Sequence, residues 1–228
     1  GHLPEELMVE FFSAVDIAGL ENEATSIAQA LRFVSEAEAV LPELQRLKGV
    51  FADRLNMRSL PWEEGYRIAR ALRDRLGLNG RPMPTSDALE SALGITKGNL
   101  EGAFLSPPVP LTSADAILGY KRHEGPGFIV NRRHAASRRF AFCRGLFEHI
   151  SSRDDRSALV TKARTEAQKR NRAFAAEFLL PADAVRERLT SELVSEDEID
   201  GLAEEFGVSW AVVHHQLANH RIARYHSE

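Results

Sequence analysis

Arg139-Phe-Ala-Phe-Cys-Arg-Gly-Leu-Phe-Glu-His-Ile150 is the stretch from which the rest of the chain is read. Phe140, Cys143, Phe147 and Ile150 recur at three- and four-residue steps, and Phe142 and Leu146 widen the same apolar stripe, which is the spacing of an amphipathic helix. The other face carries Arg144, Gly145 and Glu148. Arg144 and Glu148 stand four residues apart. A zinc peptidase helix of the H-E-x-x-H kind places two imidazoles at that separation on one metal, with the Glu between them as base for the bound water. In that register Gly145 takes the position of the base and has no side chain to accept a proton. The stretch has the shape of such a helix without its donors.

Arg139 to Glu148 resembles the R-F-x-x-A-H-E-x-G-H helix of the ImmA/IrrE family of bacterial peptidases, and other stretches match that family in the same order. Asn171-Arg-Ala-Phe-Ala-Ala-Glu-Phe-Leu-Leu-Pro181 is similar to its A-N-x-F-A-A-E-L-L-M-P helix. Trp62-Glu-Glu-Gly-Tyr-Arg-Ile-Ala-Arg-Ala-Leu-Arg-Asp-Arg-Leu-Gly77 resembles its first helix, and Phe128-Ile-Val-Asn131 its last strand before the motif helix. The resemblance implies an α+β fold, mostly helical, with a zincin-like core and a small three-stranded sheet between N- and C-terminal helices. The expected domains are an N-terminal helical region at 1–60, the peptidase-like domain at 61–181, and a helix-turn-helix-like pair at 182–228.

Carried onto this chain, the family's metal ligands fall on Arg144, Glu148 and, from the second helix, Gln168, and its general base falls on Gly145. None is the residue type that the family uses, so the resemblance argues for the fold and against the reaction. The expectation is a pseudo-metallopeptidase with no cofactor and no metal. An ion pair between Arg144 and Glu148, bridged by Gln168, would fill the place of the cation. The alternative is an active zinc endopeptidase with a nonstandard site built from Glu148, His149 and Glu166. Active relatives cleave helix-turn-helix repressors, releasing stress or mobile-element genes, and such domains also occur fused behind DNA-binding domains. A silent copy is expected to act as a partner- or ligand-binding module in bacterial transcription or stress regulation. Its partner would be a helix-turn-helix repressor or a small anionic ligand held by Arg138, Arg139 and Arg144.

Composition sets the outer bounds. The 228 residues, 43% of them hydrophobic, suffice for one large core. One cysteine excludes an internal disulfide, and no apolar run reaches membrane-spanning length. No signal peptide is evident, so a soluble cytoplasmic protein is expected. Gly1-His2 reads as a cloning remnant, with the native chain extending upstream. The net charge of −4 is segregated: residues 132–172 hold 12 Lys or Arg against 4 Asp or Glu, net +8, leaving −12 for the rest. Either self-complementary packing or an anionic partner accounts for that, as do arginines that merely solvate helix surfaces.

Taken in order, residues 4–15 read as a short helix and 22–55 as a longer one, with a possible break near Pro42. Ile27, Ala30, Leu31, Val34, Ala37 and Leu41 stripe the second helix, which needs a partner in the following domain or in another copy of the chain, a possible homodimer. Pro61 opens the next helix and Gly77 or Asn79-Gly80 stops it; Ser86 caps another that Gly94 ends. Strands are expected at 102–105, 114–120 and 128–131, and a helix over 159–180 closed by Pro181. Ser195-Glu-Asp-Glu198 fits a capping box before a helix over 199–206, and Gly207-Val-Ser209 turns into a helix over 210–217. That pair has helix-turn-helix geometry, but its second helix offers no Arg or Lys for phosphates, so DNA binding would fall to it only with Arg221 and Arg224, or to a fused domain. His123, His134 and His149 match no metal-ligand spacing and read as loop or surface histidines; Cys143 reads as an inert buried thiol.

Overall fold

The computed structural model describes residues 3–37, 40–55, 59–121, 124–189, 191 and 193–225. Its centre is a four-stranded mixed sheet in the order β1 (Phe104–Leu105), β3 (Gly125–Val130), β2 (Ala114–Lys121) and β4 (Ala158–Thr161). β1 runs parallel to β3, and β2 is antiparallel to both β3 and β4. The expected sheet had three strands. β4 is the addition, and it corrects the helix expected over 159–180, which begins only at Glu166 as α7 (Glu166–Leu179). Thr165 ends the intervening turn by accepting from the Gln168 amide at 3.2 Å, an N-cap that fixes where α7 starts.

Both faces of the sheet are buried, so its strands do not alternate apolar with polar. Ala116, Leu118, Phe128, Val130 and Val160 face the main core, where the motif helix α6 (Ala135–Ser151) lies. Ile117, Ile129 and Leu159 face the other way, onto Ile27, Ala30 and Val34 of α2 (Leu20–Glu36) and Phe11 of α1 (Met8–Ala14). The stripe of the N-terminal helix thus finds its partner within the same chain. That helix ends at Glu36, well before the expected 55. Residues Pro42–Leu47 and Ala52–Arg54 form 3-10 turns, and the Leu41 amide donates to the Pro126 carbonyl at 2.9 Å. Pro42 disfavours helix at Leu41, and that strand-side hydrogen bond gives the amide a partner elsewhere.

α3 (Pro61–Arg75) lies along α7 at unusually close range. Gly65 permits it: a Cβ there would run into the Arg170 carbonyl and sit 2.8 Å from the Phe174 amide nitrogen. Glu64 and Arg170 make a buried ion pair across the same contact at 2.6 Å. Arg73, almost fully buried, donates to the carbonyls of Asn79, Arg81 and Phe178, joining the loop after α3 to the end of α7. The short helix α4 (Ser86–Leu93) is capped by Thr85, one residue before the expected Ser86, and stopped by Gly94; α5 (Asn99–Ala103) leads into β1.

After Pro181 come α8 (Ala182–Arg188), β5 (Leu193–Val194), α9 (Glu196–Phe206), α10 (Trp210–Asn219) and β6 (Arg224–Tyr225), which pairs in parallel with β5. The capping box is present: the Glu198 amide donates to Ser195 Oγ and the Ser195 amide to Glu198 Oε2. Ile199, Leu202, Phe206, Val213 and Leu217 belong to the same buried cluster as Leu72, Phe142 and Phe178, so the core runs across residue 181 without interruption. No described helix is long and apolar enough to cross a membrane. Replacing Gly65 with Ala forces α3 off α7, and we expect a loss of about 1–3 kcal/mol or more in urea unfolding, because the obstacle is backbone. Unchanged stability would contradict this packing.

Candidate functional site

The side chain at the centre of the molecule is Arg144, 3% exposed, reaching from α6 to the point where β2, β4 and α7 meet. A buried guanidinium has five N–H donors and no means of shedding its charge at neutral pH. Four of the five have acceptors. Nε donates to Asn171 Oδ1 at 2.8 Å, Nη1 to Asp115 Oδ2 at 3.1 Å, and Nη2 to the Thr161 carbonyl at 2.7 Å and to Gln168 Oε1 at 2.6 Å. Burial, with Arg172 nearby, pushes the Arg144 group down to about 10, which leaves it charged. Asp115 is its ion-pair partner and also receives Arg132.

The expected ion pair from Arg144 to Glu148 is therefore corrected. Asp115 at the start of β2 is nearer and takes the charge; Asn171 stands between Arg144 and Glu148, accepting from the first and donating from Nδ2 to Glu148 Oε1 at 3.0 Å. Gln168 does meet Arg144 as expected, but its amide group is turned to β4, accepting from the Thr161 amide at 2.9 Å and donating to the Leu159 carbonyl at 2.7 Å. Neither Asp115 nor Asn171 was singled out from the sequence. A lone acid opening an apolar strand, and an Asn at the head of a quoted motif, were the available signals.

Gly145 faces the sheet. A Cβ there would lie 3.0 Å from the fully buried Phe128 ring, which would have to give by a few tenths of an ångström to admit any side chain. Arg138 and Arg139 do not join Arg144 in an anion site. Arg138 pairs with Glu101 at 2.8 Å and lies over the Phe104 ring, while Arg139 is spent on the Gly207 carbonyl. That carbonyl belongs to the turn between α9 and α10, where Gly207 has φ 63° and packs against Pro84. The turn of the helical pair is thus fastened to α6, and α10 presents Trp210 and His215 outward with no Lys or Arg along its length.

His149 is a core residue, not a loop or surface one: it is fully buried, with Nε2 donating to the Leu44 carbonyl and Nδ1 against the Tyr120 hydroxyl, both at 2.9 Å. Because a carbonyl only accepts, the proton sits on Nε2 and Tyr120 donates to Nδ1. His149 points away from Glu148, and Glu166 is exposed at the start of α7, so the nonstandard metal site is not assembled. His134 is exposed at the N-terminus of α6, and His123 lies outside the described residues. Among the described residues no three His, Cys, Asp or Glu side chains converge as a metal site would require. Cys143 is fully buried, and burial pushes its thiol up, as an inert thiol demands.

Glu148 is partly buried beside a cavity of about 320 Å³ under α1, where Glu10 accepts from Thr165 Oγ1 at 2.8 Å. Burial pushes the Glu148 carboxyl up to about 7, and Glu10 adds to the shift. Between 4.5 and about 7 the native chain holds a proton there that the unfolded chain has released, so stability falls as pH rises through about 7. His149 acts oppositely. Burial lowers its pKa, so its contribution is lost as pH falls below the unfolded value of 6.5. We expect Glu148→Gln to remove an alkaline loss of about 1–3 kcal/mol between about pH 5 and 8, read from denaturant midpoints. Identical pH profiles for both proteins would contradict the assignment. Asp115→Ala, which strands the Arg144 charge, should cost about 3–5 kcal/mol in the same measurement.

A search of curated proteins finds no match for the chain. Residues 112–218 match the family model described as Peptidase_M78: IrrE N-terminal-like domain. The match opens just before β2, takes in Asp115, the motif helix, β4 and α7, and ends within α10, so it contains every residue around Arg144 described above. Residues 112–218, a little under half of the chain, are thus similar to the IrrE N-terminal-like, metallopeptidase-like domain, in keeping with the ImmA/IrrE resemblance of the motif helix.

Proposed function

We propose that this domain has given up metal-dependent hydrolysis and acts by binding, as a partner- or ligand-recognition module in bacterial transcription or stress regulation. The observation that carries the reading is the Arg144 guanidinium, with its four acceptors, in the centre where the family's metal ligands would be sought. On the resemblance, the ligand positions fall on Arg144, Glu148 and Gln168, and the base on Gly145.

The residues present do not fit a zinc ion. A permanent cation stands among them, Gln168 is turned to the backbone of β4, and Gly145 has no side chain to act as a base. No hydrolytic step is therefore derived through a metal. The acceptors that would otherwise be left unpaired in a buried centre are held by Arg144, which keeps the fold without the ion. The partner class follows from the family resemblance: a helix-turn-helix repressor protein, bound without being cut, or a small anionic ligand.

Metal content and activity decide the matter together. Protein purified without chelator should contain far less than one zinc per chain. Isothermal titration with zinc should give no site tighter than about 10 µM, a free energy of about 7 kcal/mol. The protein should leave a helix-turn-helix repressor uncut over hours with zinc or manganese present. One tightly held zinc per chain, or cleavage abolished by a chelator, would return the domain to the active peptidases.

A further inference from the structure

The expected anion site at Arg138, Arg139 and Arg144 is not formed, yet the positive charge of residues 132–172 is not all spent. Beside α7 lies an open cavity of about 560 Å³, bordered by residues of α3, α6, α7 and α10. That is the size of a small-molecule site, for which about 300–1,000 Å³ is usual. Much of its lining is apolar or aromatic, Trp62, Tyr66, Phe140 and Val212 among it. Trp62 is 41% exposed, one of few large apolar side chains of the described core left in contact with water.

The rest of the lining is cationic. Lys169, Arg172 and His215 border the cavity, and no Asp or Glu does. Neither Lys169 nor Arg172 makes an ion pair with a described residue. Arg172 is held by the carbonyls of Thr161 and Ala163 and feels the carboxylates of Asp115 and Glu10, so the cation left most open to a ligand is Lys169, which is exposed. A largely apolar cavity bordered by cations and by no acid complements one class of ligand: an organic monoanion with an aromatic or alkyl body, its carboxylate toward Lys169, with Arg172 in support, and its body against Trp62 and Phe140. We propose that this cavity is the binding site of such an aromatic or alkyl carboxylate. The cavity adjoins the Arg144 centre through Arg172, which shares the Thr161 carbonyl with Arg144, but its lining includes none of Arg144, Gly145, Glu148 and Gln168.

The probe is 8-anilinonaphthalene-1-sulfonate, an aromatic monoanion whose emission rises on entering an apolar site, titrated into the intact chain. We expect saturable binding of one probe per chain, displaced by dodecanoate. The uncharged N-phenyl-1-naphthylamine should bind at least about tenfold more weakly. Lys169→Glu should weaken the anionic probe at least about tenfold, and Ala176→Trp, whose ring would fill the cavity, should abolish binding. Phe12→Ser, on an exposed apolar patch of α1, should leave it unchanged. Lys169→Glu alters only an exposed side chain and keeps the test decisive if the packed variant does not fold. Equal binding of the charged and uncharged probes, or full affinity in Lys169→Glu, overturns the proposal. So does binding lost in Phe12→Ser, or binding that falls as protein concentration rises, which would mean a second copy covers the cavity.

Discussion

A guanidinium cannot be left in a protein interior without acceptors, and this fold is arranged around meeting that demand for Arg144. The residues that meet it come from three elements, Asp115 from β2, the Thr161 carbonyl from β4, and Gln168 and Asn171 from α7, while α6 supplies the cation. Each acceptor is itself held. Gln168 is fixed by the backbone of β4 on two sides, Asn171 by Glu148, and Asp115 by a second arginine, Arg132. Replacing such a centre wholesale with packed hydrophobes is often neutral or stabilising, whereas removing a single member is costly. What the centre supplies is register: β4 cannot slip along β2, nor α7 rotate, without leaving a buried charge unpaired.

The same centre explains why the sheet is covered on both faces. α6 and α7 approach from one side to deliver Arg144 and its partners, and the apolar residues on the opposite face, Ile117, Ile129 and Leu159, would be left to water without α1 and α2. The N-terminal region is therefore part of the core in physical terms. Its contact reaches the centre's edge, where Glu10 of α1 accepts from Thr165, the residue that caps α7.

What could be read from the sequence were features with a local cause. The motif helix follows from Phe140, Cys143, Phe147 and Ile150; the capping box at Ser195 and Glu198, and the glycine stops at Gly94 and Gly207, follow from side-chain and backbone preferences that need no tertiary partner. The misses have non-local causes. Ala158-Leu-Val-Thr161 is too short for its period to separate strand from helix, and it is a strand because β2 has an edge to pair with. The Arg144 to Glu148 spacing fits an ion pair on a helix face, but Asp115, distant in sequence, competes for the cation and prevails. His149 shows the same limit from the other side. Nothing local marks it as buried; its place depends on the Leu44 carbonyl and the Tyr120 hydroxyl arriving from separate parts of the chain.

The charge segregation can be followed residue by residue. Much of the positive excess of residues 132–172 is answered by acids outside that segment: Arg132 and Arg144 by Asp115, Arg138 by Glu101, Arg153 by Asp53 and Arg170 by Glu64. Self-complementary packing, one of the two readings left open by the sequence, accounts for those. The exposed pairs among them add little stability, since water screens them, so their effect is chiefly to lower the local field. Part of the charge that remains, on Lys169 and Arg172, borders a largely apolar hollow. A charge contact made beside apolar lining such as Trp62 and Phe140 is stronger than one on an open surface. The two readings of the segregation are therefore compatible: internal pairing consumes much of the charge of the segment, and the cations that border the cavity are among those it leaves for an anion.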